Sequence, residues 1–571
     1  MPPTVSDTAP PAASSAASPT VLTRPVRYHA DGGALLEHLT RAGLLRSAGR
    51  SADDGEAAGV RPVDCVLLES ADITTKASRT TVAVLEASAR LTCWGGTVTA
   101  EALSTVDGEG PGADGLAALA RLEERLSEHL ADRSPSRLTL ALPTSADDDA
   151  TDATIEERER LTALSTIEPL RVLAQAEVDH PHLPLEAGAF AFDYLSTFES
   201  LPEVAQGANT CPDYLFYDAR IILVVDHPTQ EATLVGASVD ATELEQRLDA
   251  LAAAINTAAD AAEHSPAPPE VAADSAVLHA VPTTSDADFE AVVETMRGYI
   301  ADGDVYQVVP SRGFTIDCPD ALAAYHVLRH ANPSPYMFYL AAPDFELFGA
   351  SPESALLYSV RSSRVAIRPI AGTRPRGLHP DGSVDHERDT RLELELRTDA
   401  KEVAEHVMLV DLARNDVARV SRPGTRSVQD LLRVDRYSRV MHLVSEVSGE
   451  LAEALDALDA FRASMTMGTL TGAPKLRAAE LIRQAEGVRR GSYGGSVGYI
   501  RGDGELDTCI VIRSGFVVDG TALVQAGAGV VAASSPAAEA AETVHKARAV
   551  LEAVAAAQGA ALVIDTTGKE A

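Results

Sequence analysis

Paired or patterned cysteine is missing from this chain. Its 571 residues include 5 cysteines: Cys65, Cys93, Cys211, Cys318 and Cys509. They are far apart, odd in number and in no CxxC spacing, which argues against a disulfide framework and suits a reducing, cytoplasmic setting. Long apolar runs are also missing, since nothing approaches the roughly eighteen consecutive apolar residues of a membrane span. Positive charge is scarce. Lys and Arg number 48 against 84 Asp and Glu, a net charge of −36, which repels phosphate backbones and anionic lipid and disfavours nucleic-acid and membrane partners. A small anionic substrate remains compatible if a local basic pocket opposes the global field.

What is present is a large globular chain, 45% hydrophobic, long enough for more than one domain or subdomain. Residues 1–20, rich in Pro, Ala and Ser, lack the basic start and apolar stretch of a secretory signal and are expected to form a disordered tail. "PVDCVLLES" and "ARIILVVD" read as strands and "LAALARLEERLSEHLA" as an amphipathic helix, so residues 21–254 form a mixed α and β part. Residues 255–285 turn Ala, Pro and Asp rich, a composition expected of a linker. In residues 286–557, helices are expected over "DADFEAVVETMRGYIADGD", over "TDAKEVAEHVMLVDLARNDVARV", and over "SPAAEAAETVHKARAVLEAVAAA" with Ser535 as N-cap and Pro536 at the first helical position. Residues 558–571 are expected to be a tail.

Several local features could carry chemistry. Gly527, Gly529 and Ala532 fit a G-x-G-x-x-A pattern, but little chain remains for a dinucleotide-binding unit, so a tight turn or a backbone anion nest fits better. Arg513, in the strand-like "DTCIVIRS", either reaches solvent or binds an anion, for which its planar fork suits a carboxylate. His442 sits in "SRVMHLVSEV", a buried-strand pattern in which a lone histidine is more often a core residue than a catalyst. Glu402 with Glu405, and Glu539 with Glu542, share helical faces at i, i+3, with Lys546 one turn beyond Glu542. They read as solvated faces, or as a converging pair of carboxylates for Mg²⁺. In "RPIAGTRPRG" (368–377), three arginines surround a bare Ala-Gly-Thr step.

These pieces in this order resemble the chorismate-utilising enzymes. The resemblance rests on "DVYQVVPSR", "NPSPYMFYL", "GASPE", "RPIAGTRPRG", "AEHVMLVDLARND", "DRYSRVMHLVSEVSGEL", "TLTGAPKLRAAELI", "RRGSYGGSVGY", "LDTCIVIRS" and "VQAGAGVVAAS". It covers essentially residues 290–555, and the N-terminal half more loosely through "LLES". It implies an α+β fold of two large, mainly antiparallel sheets packed face to face with outer helices. It further implies that Glu405 and Glu542 hold Mg²⁺ against the ring carboxylate of chorismate. Gly372, Thr373, Tyr493, Arg513 and the backbone of Gly527, Ala528 and Gly529 would contact the substrate, Arg513 on the enolpyruvyl carboxylate. Glu353 would protonate the departing ring hydroxyl and His442 would take the later ring proton.

Two positions select the reaction within the resemblance. Relatives that add water carry a lysine where Gln307 stands, and relatives forming 4-amino-4-deoxychorismate carry a lysine nucleophile where Ala371 stands. Glutamine cannot activate water and alanine cannot attack the ring, so ammonia would add directly and pyruvate elimination would yield anthranilate, the first committed step toward tryptophan. A relative that stops at aminodeoxyisochorismate and a non-catalytic regulatory paralogue are the competing readings. No Gly-x-Cys-x-Gly nucleophile elbow is present, so the resemblance implies a separate glutamine amidotransferase subunit, in a heterodimer or heterotetramer. Ser70 of "LLES", with Pro335, Tyr336 and Met337, matches the family's feedback site for L-tryptophan.

Overall fold

A computed structural model of the chain describes residues 18–49, 59–72, 78–106, 108, 110–144, 157–175, 178–258, 276–379, 383–437 and 440–566. Most of the expected N-terminal tail and the middle of the expected linker lie outside the described residues.

The helices follow their sequence signals closely. Ala113–Leu126 buries Ala118, Leu119 and Leu122 on one face. Asp286–Asp302 starts on Ser285, whose hydroxyl accepts the Asp288 N–H, and ends where Gly303 turns left-handed at φ 86. Ala400–Val420 starts on Asp399, whose carboxylate accepts from the Lys401 and Glu402 amides. Pro536–Ala557 begins after Ser535, which occupies the cap position without making a side-chain cap bond.

The strands build two layers that share a hinge. Ser78–Trp94 and Tyr214–Asp226 pair antiparallel from Tyr214↔Cys93 to Asp226↔Thr80, with register shifts between Asp218 and Ile222. On one side of the shifts, Tyr214–Asp218 pairs with Leu185–Phe190; on the other, Ile221–Asp226 pairs with Glu231–Ser238. The irregularity bends both long strands, so one ladder feeds two sheets. From it one layer continues through Cys65–Ala71, Tyr336–Ala341, Glu346–Ser351 and Ser514–Val518. The other continues through Ser496–Arg501, Leu506–Ile510, Ser354–Ser359, Arg364–Ile367 and Val440–Glu450. Among the described residues all the strand ladders are antiparallel except that of Val277–Pro282 with Ala561–Ile564. That parallel pair sits at the end of the expected linker and inside the expected C-terminal tail. Its apolar residues Leu278, Leu562 and Ile564 pack against a core cluster, a tertiary contact that local composition does not announce.

Side-chain alternation explains the layering. In Tyr336–Ala341, Met337, Tyr339 and Ala341 join a cluster covered by outer helices, whereas Phe338 and Leu340 join a core built mainly of strand residues, with Val84, Ala189, Leu215, Val497 and Phe516. That second cluster is the filling between the sheets. On the opposite, helix-covered face, where Gly188 pairs with Phe216, space is tight: a Cβ on Gly188 would lie 2.0 Å from the Leu215 carbonyl oxygen and 2.7 Å from the Phe216 Cα. Gly188→Ala should therefore cost about 1–3 kcal/mol of stability through overpacking, seen as a lower thermal unfolding midpoint.

Candidate active site

A cavity of about 480 Å³ is bounded by strand ends of the C-terminal half and by the helices Ala400–Val420 and Pro536–Ala557. It brings together Gln307, Glu353, Gly372, Thr373, Glu405, His442, Tyr493, Arg513, Gly527, Gly529 and Glu542, residues spread over more than two hundred positions of chain. Of the residues expected at this site, only Ala528 is not in the wall; its amide donates to the Pro310 carbonyl at 3.1 Å.

The stretch 368–377 becomes the strand Ile370–Pro375, paired with Val440–Glu450. The ladder skips one residue between Ala371↔Leu443 and Thr373↔His442. The skipped Gly372 has φ 80, and a Cβ there would lie 3.2 Å from Glu402 Oε2 and from Leu443 Cδ1, so the bulge needs glycine. The Gly372 carbonyl lies 3.3 Å from Nδ1 of His442, and the Thr373 hydroxyl lies 2.9 Å from the same nitrogen. Because a carbonyl can only accept, this assigns the proton to Nδ1 and leaves Nε2 with a free lone pair. The three arginines take no part in the wall. Arg368 pairs with Glu446, Arg374 with Glu395, Asp399 and Glu402, and Arg376 with Asp389.

Arg513 differs from its sequence expectation. It lies in a kink between the strands Leu506–Ile510 and Ser514–Val518, with φ 51, a left-handed conformation that costs a non-glycine residue energy. Its guanidinium has no hydrogen-bond or ion-pair partner among the described residues, and burial lowers its pKa. Beside it, the Tyr493 ring is buried, its hydroxyl 3.0 Å from where a Cβ on Gly527 would lie. Gln307 is buried with Oε1 unpartnered among the described residues, and its Nε2 would lie 2.7 Å from a Cβ on Gly529. Glycines at 527 and 529 thus keep both polar groups close to the backbone.

Glu353 and His442 are tuned in opposite directions by the same burial. Burial pushes the Glu353 carboxyl up to about 8, with the Thr469 hydroxyl, the Ile370 amide and Lys546 opposing. The Thr469 hydroxyl donates to Glu353 Oε1 at 3.2 Å. Burial, with the Arg513 charge, takes His442 down to about 4. At neutral pH the carboxyl therefore keeps its proton and the imidazole is uncharged, a pair of acid and base in one cavity.

The helices supply a wall of four carboxylates, Glu402, Glu405, Glu539 and Glu542, with Lys401 and Lys546 among them. Glu405 Oε1 is buried without a hydrogen bond among the described residues, with Lys401 at 3.6 Å. Burial raises this carboxyl; Lys401 opposes, and Glu402, Glu539 and Glu542 raise it further by repulsion. Burial also acts upward on Glu542, but Lys546 at 2.7 Å outweighs it. No cluster of three His, Cys, Asp or Glu suited to a metal occurs among the described residues. Glu405 and Glu542 are the carboxylates that could supply a hard cation, the rest of its shell coming from ligand oxygens. Thr469 and Lys401 carry no role in the sequence reading, and Glu402 and Glu539 enter it only as the i, i+3 partners of Glu405 and Glu542. Thr469 stands in the "TLTG" motif, yet its bond to Glu353 crosses 116 positions.

Ser70, Tyr336 and Met337 line a separate cavity of about 160 Å³, with Glu69, Tyr499 and Asp507, whereas Pro335, also expected there, is not among its lining residues. Asp507 was unsuspected from sequence; burial lifts its carboxyl to about 6, the Tyr336 hydroxyl and Arg368 opposing. The strand Leu506–Ile510 joins the two cavities, because Asp507 and Cys509 face this one while the Ile510 amide donates to the Glu353 carbonyl at 3.0 Å.

Comparison with known proteins places these features in context. Residues 133–552 match the family described as chorismate binding enzyme. Anthranilate synthase component 1 of Vibrio cholerae is 48% identical over 500 residues, covering 86% of this chain and 91% of that protein. Its counterpart in Escherichia coli is 47% identical over 507 residues, covering 88% and 94%. The crystal structure of anthranilate synthase component I from Streptococcus pneumoniae superimposes with a TM-score of 0.61 at 28% identity, covering 83% of this chain and 92% of that one.

The opposed tuning is measurable without a ligand. In NMR titrations the Glu353 carboxyl should ionise near 8 and His442 should gain a proton only near 4. Ordinary values for both would remove the acid and base assignment.

Proposed function

The chain belongs to the chorismate-binding enzymes, in the branch of the anthranilate synthase component 1 proteins, and on that premise we propose how its residues make anthranilate. The observation that carries the reading is Arg513, a cation without a partner among the described residues, in the same cavity as a carboxylate wall that a divalent cation would neutralise. A dianion such as chorismate fits both ends. Its enolpyruvyl carboxylate meets Arg513, Tyr493 and the backbone at Gly527 and Gly529, and Glu405 and Glu542 would hold Mg²⁺ on the side of its ring carboxylate. The orphaned Glu405 oxygen and the mutual repulsion of the carboxylates support that site. Bound there, Mg²⁺ would act as a Lewis acid on the ring carboxylate.

Ammonia adds to the ring with no side chain intercepting it, because Ala371 offers no amine and Gln307 no base. Glu353, protonated at neutral pH, gives its proton to the departing hydroxyl. His442, neutral and held at Nδ1 beside the Gly372 carbonyl and the Thr373 hydroxyl, takes the ring proton at Nε2 as pyruvate leaves. The general acid works only while protonated, so activity should fall as pH rises through about 8.

Ammonia comes from a glutamine amidotransferase subunit. All five cysteines are buried, and burial pushes the thiols of Cys65, Cys93, Cys211 and Cys509 upward, away from the nucleophilic thiolate. L-Tryptophan binds the smaller cavity beside Ser70, Tyr336 and Met337, next to Pro335 in sequence, where Asp507 supplies negative charge for its ammonium while the Glu69 carboxylate is held by Arg329 at 2.8 Å. The strand from Asp507 to Ile510 ties that occupancy to Glu353.

The test is anthranilate fluorescence from chorismate and Mg²⁺ with ammonium. With glutamine instead, product should form only after the partner subunit is added. An aminated product that keeps its enolpyruvyl group would overturn the reading. Glu405→Ala should lower turnover by more than about 100-fold while leaving the unfolding midpoint near that of the parent. Ser70→Phe should keep turnover and lose inhibition by tryptophan; a variant as sensitive as the parent would move the regulatory site elsewhere.

A further inference from the structure

A second, smaller cavity adjoins the active site behind Glu353. It measures about 20 Å³, shares Glu353, Leu409 and Thr469 with the larger one, and is otherwise walled largely by Ile367, Leu412, Ala413 and Met467. That volume holds about one water, which persists in such a place only with two to four polar partners. Three are present. Thr469 already bonds Glu353 at 3.2 Å. Asp416 is 7% exposed and lines the cavity, with Oδ2 bound to the Lys475 ammonium at 2.8 Å; its other oxygen has no hydrogen bond among the described residues. Lys475 also donates to the Ser464 carbonyl at 2.8 Å, which fixes the pair in place.

We propose that this side cavity receives the water released from the substrate ring, with Glu353, Thr469 and Asp416 as its polar walls. The inference rests on Glu353 as the acid for the departing hydroxyl. The ring carbon–oxygen bond breaks with its electron pair on oxygen, Glu353 supplies the proton, and water forms beside it. The carbon–nitrogen bond to ammonia forms in the same substitution, and the resulting ammonium gives up a proton while Glu353 regains one, so no outside reagent is needed. With substrate filling the larger cavity, the adjoining space lets the water move off Glu353. Asp416 acts here as a positioning residue: its free oxygen accepts from the water and turns it away from the ring.

The test fills the space. Ala413→Val and Ala413→Leu should lower kcat progressively, the latter about tenfold, with KM for chorismate, Mg²⁺ affinity and the Glu353 titration unchanged. A high-resolution crystal structure of the parent should show one ordered water within hydrogen-bonding distance of Asp416 and Glu353, and that of Ala413→Leu should lack it. A dry side cavity in the parent, or a folded Ala413→Leu enzyme with parental kcat, overturns the proposal. If Ala413→Leu fails to fold, Ala413→Val and the parent crystal structure still decide. Glu353→Gln separates the two levels: an active Glu353→Gln enzyme removes the acid assignment beneath the proposal, whereas an inactive one beside a fully active Ala413→Leu removes the side cavity's role alone.

Discussion

The ladder between Ser78–Trp94 and Tyr214–Asp226 has to serve two sheets at once, and most of the architecture follows from how it does so. A regular ladder would keep every side chain on one of two faces for its whole length. The register shifts between Asp218 and Ile222 break that rule, so Tyr214 and Phe216 face one helix-covered cluster while Ile221 and Leu223 face the other. Leu215, Tyr217 and Ile222 remain in the filling between the layers. Because this ladder lies in the N-terminal half, the C-terminal strands that carry the site depend on it. Leu185–Phe190 pairs with Ser496–Arg501, and Cys65–Ala71 pairs with Tyr336–Ala341. The composition change at 255–285 therefore separates stretches of sequence whose strands share both layers.

That shared framework explains the burial that makes the chemistry available. Glu353 follows the strand Glu346–Ser351 at the point where the chain turns into Ser354–Ser359, and Arg513 lies in the kink between two further strands. Both are charged residue types held out of water by strand ends and not by loops. Desolvation disfavours the charged form of each, which keeps Glu353 protonated and leaves Arg513 in want of an anion. His442, one strand away, is kept neutral by the same burial and by the Arg513 charge. One physical cause thus favours a protonated carboxyl, a neutral imidazole and a guanidinium with no partner among the described residues.

Much of this was legible in the sequence, for particular reasons. Helices announced themselves through caps and spacing: Ser285 and Gly303 bracket one and Asp399 opens another. The long ordered motifs identified the cavity residues, and the bare Gly372 in its Ala-Gly-Thr step proved to be the bulge that a side chain would fill. The kink at Arg513 was not legible, since its apolar neighbours read as one uninterrupted strand. Nor was the parallel pairing of Val277–Pro282 with Ala561–Ile564, whose partners are nearly three hundred residues apart.

The sequence by itself determined which functional groups are on hand: Ala371 and Gln307 leave no lysine at either position, and Glu353, His442, Glu405 and Glu542 are the groups the proposed reaction draws on. Residue identity settles such questions because they concern functional groups. Only the tertiary structure decided the protonation states, the tautomer of His442, the absence of a partner for Arg513 among the described residues, and the closeness of Thr469 and Asp416 to Glu353. Those depend on desolvation and on contacts across long chain separations, which local sequence does not encode.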